Sequence, residues 1–386
     1  MVGPARSAEN MIPYFVVLAV TSLLSMFSRL VSGAKHTVRD NRIHVKSTAI
    51  VGTEVIDSST QQWNFFDYAI LTLLVAFSGL RYGIGTDYTT YHYMFSALVA
   101  QDWLGSIAAS PVEPGYTILS LAVKTAIEDS RAIFWVAALI TVVLVFVAIK
   151  RSSTDLFLSL FLYFTLAFYL ASFNATRQGI AIAIVLFADY YYKRNKVTFF
   201  LLMAVAISIH ISTIFVLAIY LLSRHLRPNL LLVVGMLFLG AALASSAFIE
   251  DQLSGLLVGL NPRYGGYLID NPTGLGTYLV ILSKIIIICY MLWIGREDDS
   301  NSHYRTLVIF SLVFLVAGTA FKVLVRMEMF FGIFIILAIP NLLAGRKGAG
   351  FHSFLIVVAG LIYLTFYLLN YDGLVPYSTY LSMGAS

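Results

Sequence analysis

Charge is scarce in this chain. Of its 386 residues only 12% are Asp, Glu, Lys or Arg, against roughly a quarter in an average soluble domain, which is too little polar surface to enclose a water-soluble fold. Cysteine is scarcer still. The one cysteine, Cys289, sits inside an apolar run, which excludes an intramolecular disulfide and leaves no cysteine-based metal site. Several catalytic signatures are also missing. There is no Walker loop, no HExxH and no GxSxG elbow, which argues against ATP hydrolysis, zinc proteolysis and serine-hydrolase chemistry; no metal and no cofactor is expected.

Apolar residues fill the space left by charge. They make up 59% of the chain and recur in runs of about 20 between residues 11 and 370, the length a helix needs to cross a hydrocarbon core of roughly 30 Å. Such continuous runs do not suit barrel strands, which alternate inward and outward, and in lipid a helix satisfies its own backbone. The expected fold is all-α, a polytopic bundle of about 11–13 membrane helices. Spans are expected near 11–31, 65–80, 131–149, 155–172, 174–192, 198–222, 229–247, 277–295, 304–320, 322–343 and 353–370. The first lacks a small-residue cleavage site and reads as a retained anchor. The segment 196–223 is long for one upright span and is expected to break around His210, whereas 115–127, with Lys124 inside it, is short enough to dip in without crossing.

The net charge of +5 reports topology before it reports a ligand, because the cations cluster between apolar runs; no nucleic-acid partner is expected. The clusters are Lys35/Arg39/Arg42/Lys46, Lys150/Arg151, Lys193/Arg194/Lys196, Arg224/Arg227, Arg296 and Arg346/Lys347. All of them fall on the cytoplasmic side if 115–127 does not cross and 196–223 crosses twice. The loops 81–114 and 248–276 then share the extracytoplasmic face, and a basic loop 32–64 lies inside. The alternative, in which 115–127 spans, puts that basic loop outside. Residues 1–386 read as a single integral membrane domain.

The densest polar stretch is RYGIGTDYTTY at 81–91. Its glycines permit unusual backbone, its tyrosines suit either the membrane interface or a sugar ring, and Arg81 is able to clamp a phosphate bidentately. EPGY at 113–116 closes the same loop and adds Glu113. A bland interfacial loop has the same composition, and Asp102 reads as a solvated carboxylate. Inside the membrane an ionisable side chain costs about 2.5–3.5 kcal/mol on the lenient scale, so Arg177, His210, Lys284, Lys322, Arg326 and Glu328 each need a partner or a wet cavity. Arg177, with Gln178 beside it and Asn174 nearby, makes a polar face on an apolar span. Lys322 and Arg326 share a helical face while Glu328 lies about 200° round from Arg326, so these cations look elsewhere for an anion, either a carboxylate or a diphosphate. Lys284 suits Asp189 or Glu328 as a counter-ion. His210 with Ser212 is either an acid/base unit, since histidine titrates near neutrality, or a packing residue.

The elements RYGIGTDYTTY at 81–91, EPGY at 113–116, SFNATRQGIAIA at 172–183 and IHIS at 209–212 together resemble the EpsG family of polysaccharide polymerases, akin in role to Wzy-type O-antigen polymerases. The likeness is strongest from about residue 65 to 222 and weaker downstream, where it rests on Arg326 in VRMEM. The resemblance implies an enzyme of the bacterial cytoplasmic (inner) membrane that joins oligosaccharide repeats carried on a polyprenyl diphosphate after they have been flipped across the membrane. A flippase and a chain-length regulator are the partners it implies. Carried onto this sequence, Arg81, Asp87, Tyr88 and Tyr91 line the site from the loop, and Arg177, Gln178 and His210 approach from helices. Glycosyl transfer of this kind needs cations for the departing diphosphate, a task suited to Arg81, Arg177 and Arg326 without a metal, and a base, for which Asp87, Glu113 and His210 are the candidates. The rival readings are a glycosyltransferase or ligase with another acceptor, and a lipid-linked glycan transporter in which the same cations line a path.

Overall fold

The computed structural model describes residues 8–43, 63–245, 274–295, 302–370 and 373–383. The chain folds as two compact units, Met1–Ile211 with Lys347–Ser386, and Ser212–Arg346. The described residues contain helices and no strand.

The first unit opens with α1 (Ile12–Ile43) and α2 (Phe65–Gly79). The helix α1 runs on through Ile43, so residues 32–43 of the expected basic loop are helical; residues 44–62 lie outside the described residues. Asn64 and Asp67 form a capping box that starts α2, with Asn64 Oδ1 accepting from the N–H groups of Phe66 and Asp67 and Asp67 Oδ2 accepting from Asn64 N–H. That box is also a junction between helices. The buried Asp67 carboxylate takes Ser28 Oγ of α1 at 2.7 Å and Lys150 Nζ at 3.0 Å, the latter from α6 (Arg131–Ser152). Between them lie α3 (Tyr88–Ala97), α4 (Trp103–Ala109) and α5 (Pro114–Ala126). At about 20 Å, α5 is shorter than a hydrocarbon core. Asp102, expected to be merely solvated, caps α4 by accepting from Gly105 N–H, and Lys124 donates to the terminal carbonyls of Phe95 and Ser96 at the end of α3.

After α6 the chain forms α7 (Leu156–Thr165) and α8 (Phe168–Asn174), which meet at 42° where a single span was expected over 155–172. No proline causes the bend. Ala167 takes the left-handed backbone at φ 64° and turns the chain there. Then come α9 (Thr176–Tyr192) and α10 (Lys196–Ile209), the latter capped by Asn195. Phe199, Met203, Ala206 and Ile209 form its buried stripe, while Val197, Phe200, Leu201 and Val205 face outward.

The second unit contains α11 (Thr213–Ser223), α12 (Leu230–Ala244), α13 (Leu275–Ile294), α14 (Ser302–Ala317), α15 (Lys322–Gly332) and α16 (Ile335–Leu343). The expected outer loop 248–276 falls almost wholly outside the described residues. Within this unit Lys284 Nζ pairs with Glu328 Oε1 at 2.6 Å, so Glu328 is the counter-ion of Lys284.

The first unit is completed by α17 (Ala349–Asn370) and a tail that lies along the start of the 81–91 stretch. Arg81 and Thr379 form an isolated antiparallel bridge, Tyr82 N–H donates to the Ser378 carbonyl at 2.9 Å, and Gly85 N–H donates to the Gly373 carbonyl at 2.7 Å. Tyr377 stacks on Phe77 with centroids 4.1 Å apart.

Among the described residues five helices are long and apolar enough to cross a membrane: Ile12–Ser32, Arg131–Ser152, Gly276–Ile294, Leu324–Leu343 and Ala349–Asn370. The bent pair α7 and α8 makes a sixth if counted as one span. Exposed Phe351, Phe354, Leu355, Val358 and Ile362 leave α17 with an apolar face too extensive for water and suited to lipid. The chain is a multi-pass, all-α membrane protein.

Candidate active site

Three helix ends converge in the first unit. The helix α8 stops at Asn174 and α9 starts anew at Thr176, with Ala175 between them out of helical geometry. The helix α10 stops at Ile209, and His210 is extended, which is the break expected in the 196–223 segment. A break inside an apolar run frees backbone groups that need partners. Glu113, which precedes α5, supplies one: its Oε1 accepts from Ile211 N–H at 3.0 Å.

Each residue of EPGY has a job in that geometry. Pro114 begins α5, where its missing N–H is no loss. Gly115 lets α5 approach the end of α10, since a Cβ there would lie 2.3 Å from Ser208 Oγ and 2.7 Å from the Ser208 carbonyl oxygen. Tyr116 is buried, edge-on to Tyr91 with centroids 5.6 Å apart.

Glu113 Oε2 forms an ion pair with Arg177 Nη1, and His210 Nδ1 stands 3.5 Å from Glu113 Oε1, within ion-pair range though long for a hydrogen bond. The side chains of Glu113, Arg177 and His210 are each at most one-fifth exposed. Tyr91 reaches the same place, its hydroxyl accepting from the backbone N–H of Arg177 at 3.5 Å. Burial works to raise the Glu113 pKa, but the neighbouring His210, the Arg177 charge and the Ile211 N–H outweigh it and hold the carboxyl at about 2. The result is a carboxylate, a guanidinium and an imidazole gathered where α5 and α9 both begin. Neither helix start has a side-chain cap of its own, so both dipoles add positive potential there.

The 81–91 stretch is held in place by SFNATRQ. Gly85, at φ 104°, lies so close to α8 that a Cβ would meet the Phe173 carbonyl oxygen at 2.2 Å, and Thr86 N–H donates to Asn174 Oδ1 at 2.8 Å. Arg81 is 2% exposed. Its Nη1 donates to the Ser78 carbonyl and hydroxyl, and its guanidinium lies 4.7 Å from the Phe173 ring centroid and 5.0 Å from that of Phe134. Tyr88 stacks on Phe134 at 4.3 Å. Both therefore make their contacts with protein. Asp87 precedes α3, one turn before Tyr91, and is partly exposed, whereas Gln178 is buried next to Arg177. Arg326 belongs to α15 of the second unit.

Glu113, Arg177, His210 and Tyr91 are thus brought together. The sequence offered no sign of the C-terminal tail that pairs with the loop, nor of the Ile211 amide as a ligand of Glu113, since both depend on where distant segments cross. Comparison with curated proteins and with solved structures finds no match. A family model does match, that of the EpsG family, over residues 64–379, a range that takes in every element of the cluster and reaches the tail residue that bridges to Arg81. The chain belongs to the EpsG family.

Proposed function

We propose that this chain polymerises oligosaccharide repeat units carried on a polyprenyl diphosphate, building O-antigen or exopolysaccharide by metal-independent glycosyl transfer at the extracytoplasmic face of the bacterial inner membrane. Membership of the EpsG family supports a polysaccharide-polymerase type of activity. The observation that carries the finer reading is the meeting of Arg177, Glu113 and His210 at two uncapped helix starts.

In the proposed reaction an acceptor hydroxyl attacks the anomeric carbon of the donor sugar. A new carbon–oxygen bond forms as the bond to the diphosphate breaks, the electron pair leaves with the diphosphate, and the hydroxyl proton passes to a base. Arg177 and the α9 start meet the charge that develops on the diphosphate, in a setting where a preorganised donor contributes about 3–4 kcal/mol. Glu113 is the base, with His210 beside it as the group that steadies its charge and accepts the proton onward. Tyr91 positions α9 through its backbone. Arg81 and Tyr88 fix the loop that carries Tyr91, and Asp87 and the exposed Tyr82 offer the acceptor sugar a polar and an aromatic surface.

The test is complementation of a deletion strain. Wild type restores long glycan; Arg177→Ala and Glu113→Ala, expressed at wild-type level in the membrane, leave single repeat units on the lipid. Long glycan from either variant refutes the assignment.

A further inference from the structure

We propose that Glu113 is the resting occupant of an anion site at Arg177, and that the diphosphate of an incoming lipid-linked substrate takes its place and so releases the carboxylate to face the acceptor. This rests on the polymerase reading above and adds a coupling to it: the base is delivered by donor binding.

A guanidinium carries five N–H donors in a flat fork. Glu113 reaches that of Arg177 through Nη1 and the Tyr91 hydroxyl lies against it, while Nε is buried and has no hydrogen-bond partner among the described residues. Nε–H and Nη2–H together form the edge on which a phosphate binds with two parallel bonds, and Glu113, seated on Nη1, leaves the Nε end of that edge unmet. A diphosphate therefore satisfies Arg177 more fully than Glu113 does, and it brings more negative charge to a point where the starts of α5 and α9 already favour an anion.

Glu113 is placed to give way. Its backbone is fixed by Pro114 and by the contact of Gly115 with Ser208, so a change of side-chain rotamer moves the carboxylate without moving α5. The partners it keeps are the Ile211 N–H and His210, both on the α10 side. Once Arg177 is taken, one of the influences holding the carboxyl near a pKa of about 2 is gone and its affinity for a proton rises. Before donor arrives, the carboxylate locked on Arg177 is a poor base toward water, and the site stays idle.

The experiment uses the full-length protein in nanodiscs and farnesyl diphosphate, a sugar-free polyprenyl diphosphate, as the probe in a calorimetric titration. If Glu113 holds Arg177 in nine molecules of ten, removing its charge tightens probe binding about tenfold. Glu113→Gln and the shorter Glu113→Asp are both expected to bind more tightly than wild type, and adding Arg177→Ala is expected to abolish the gain. Unchanged or weaker binding by Glu113→Gln, with Arg177→Ala still weakening wild type, overturns the exchange and leaves the polymerase reading standing. Wild-type binding that does not depend on Arg177 removes the donor site itself. A second readout needs no variant: labelling of wild-type Glu113 by a hydrophobic carbodiimide is expected to rise when the probe is added, and constant or reduced labelling contradicts release of the carboxylate.

Discussion

Arg177 and Glu113, 64 positions apart in sequence, meet as an ion pair at the place where α9 and α5 both begin. A pair that serves only to hold helices together works in either orientation. A pair that serves chemistry does not. The reciprocal exchange Glu113→Arg with Arg177→Glu restores the ion pair but leaves the Ile211 N–H without its acceptor, and is therefore expected to restore part of the thermal stability lost in either single variant, while the initial rate of glycan formation stays about 100-fold or more below wild type. Recovery of activity along with stability contradicts a catalytic role for the pair.

The two left-handed glycines of the 81–91 stretch make a sharper comparison. Gly83 has φ 65° and open space where a Cβ would go, whereas Gly85 has φ 104° and the Phe173 carbonyl in that place. Gly83→Ala is expected to cost about 1–2 kcal/mol, the backbone penalty alone, and to keep activity. Gly85→Ala pushes the loop off α8, breaks the Thr86 to Asn174 hydrogen bond and is expected to abolish polymer formation. Equal effects of the two, scored as glycan length in a complemented strain, contradict this account of the loop.

Far from that loop, Asp67 and Lys150 form a buried ion pair at 3.0 Å that also carries the α2 capping box. Removing one partner leaves a buried charge unmatched, and Lys150→Ala is expected to destabilise by about 3–5 kcal/mol. Replacing both with apolar residues of similar size, Asp67→Leu with Lys150→Met, removes the unmatched charge but also the Asp67 bonds to Asn64 N–H and Ser28, and is expected to recover part of that loss. Thermal unfolding in detergent decides it, and a double variant no better than the single one contradicts the pairing.

Acid supplies a further check. Glu113 sits at about 2 in the folded protein against an ordinary 4.5, a depressed carboxylate, so the stability it contributes is fully present above 4.5 and is lost as pH falls toward 2. The thermal advantage of wild type over Glu113→Gln is expected to be flat from pH 8 to about 5 and to shrink below about 4.5. An advantage that instead changes between pH 6 and 8 assigns the effect to another group.

Much of this was legible in the sequence because the governing signals are local. Apolar runs bounded by charge placed the helices, and the length of 196–223 announced the break at His210. The polar words RYGIGTD, EPGY and SFNATRQ marked the segments that meet. What escaped was non-local or conformational. The bend between α7 and α8 rests on one left-handed alanine, Ala167, with no glycine or proline to signal it. The extension of α1 beyond residue 32 follows from helical backbone continuing where hydropathy ends. Arg81 has the composition of a phosphate clamp, yet it is packed between Phe134 of α6 and Phe173 of α8, which lie far from it in sequence.

Polymerase activity is best assayed with purified protein in nanodiscs, supplied with its lipid-diphosphate-linked repeat unit in the presence of a chelator and without nucleotide. A ladder of products spaced by one repeat unit is expected, absent with Arg177→Ala. Unreacted substrate from active-site-intact protein, together with movement of that lipid across a proteoliposome membrane, contradicts the polymerase and makes the same arginine part of a transport path.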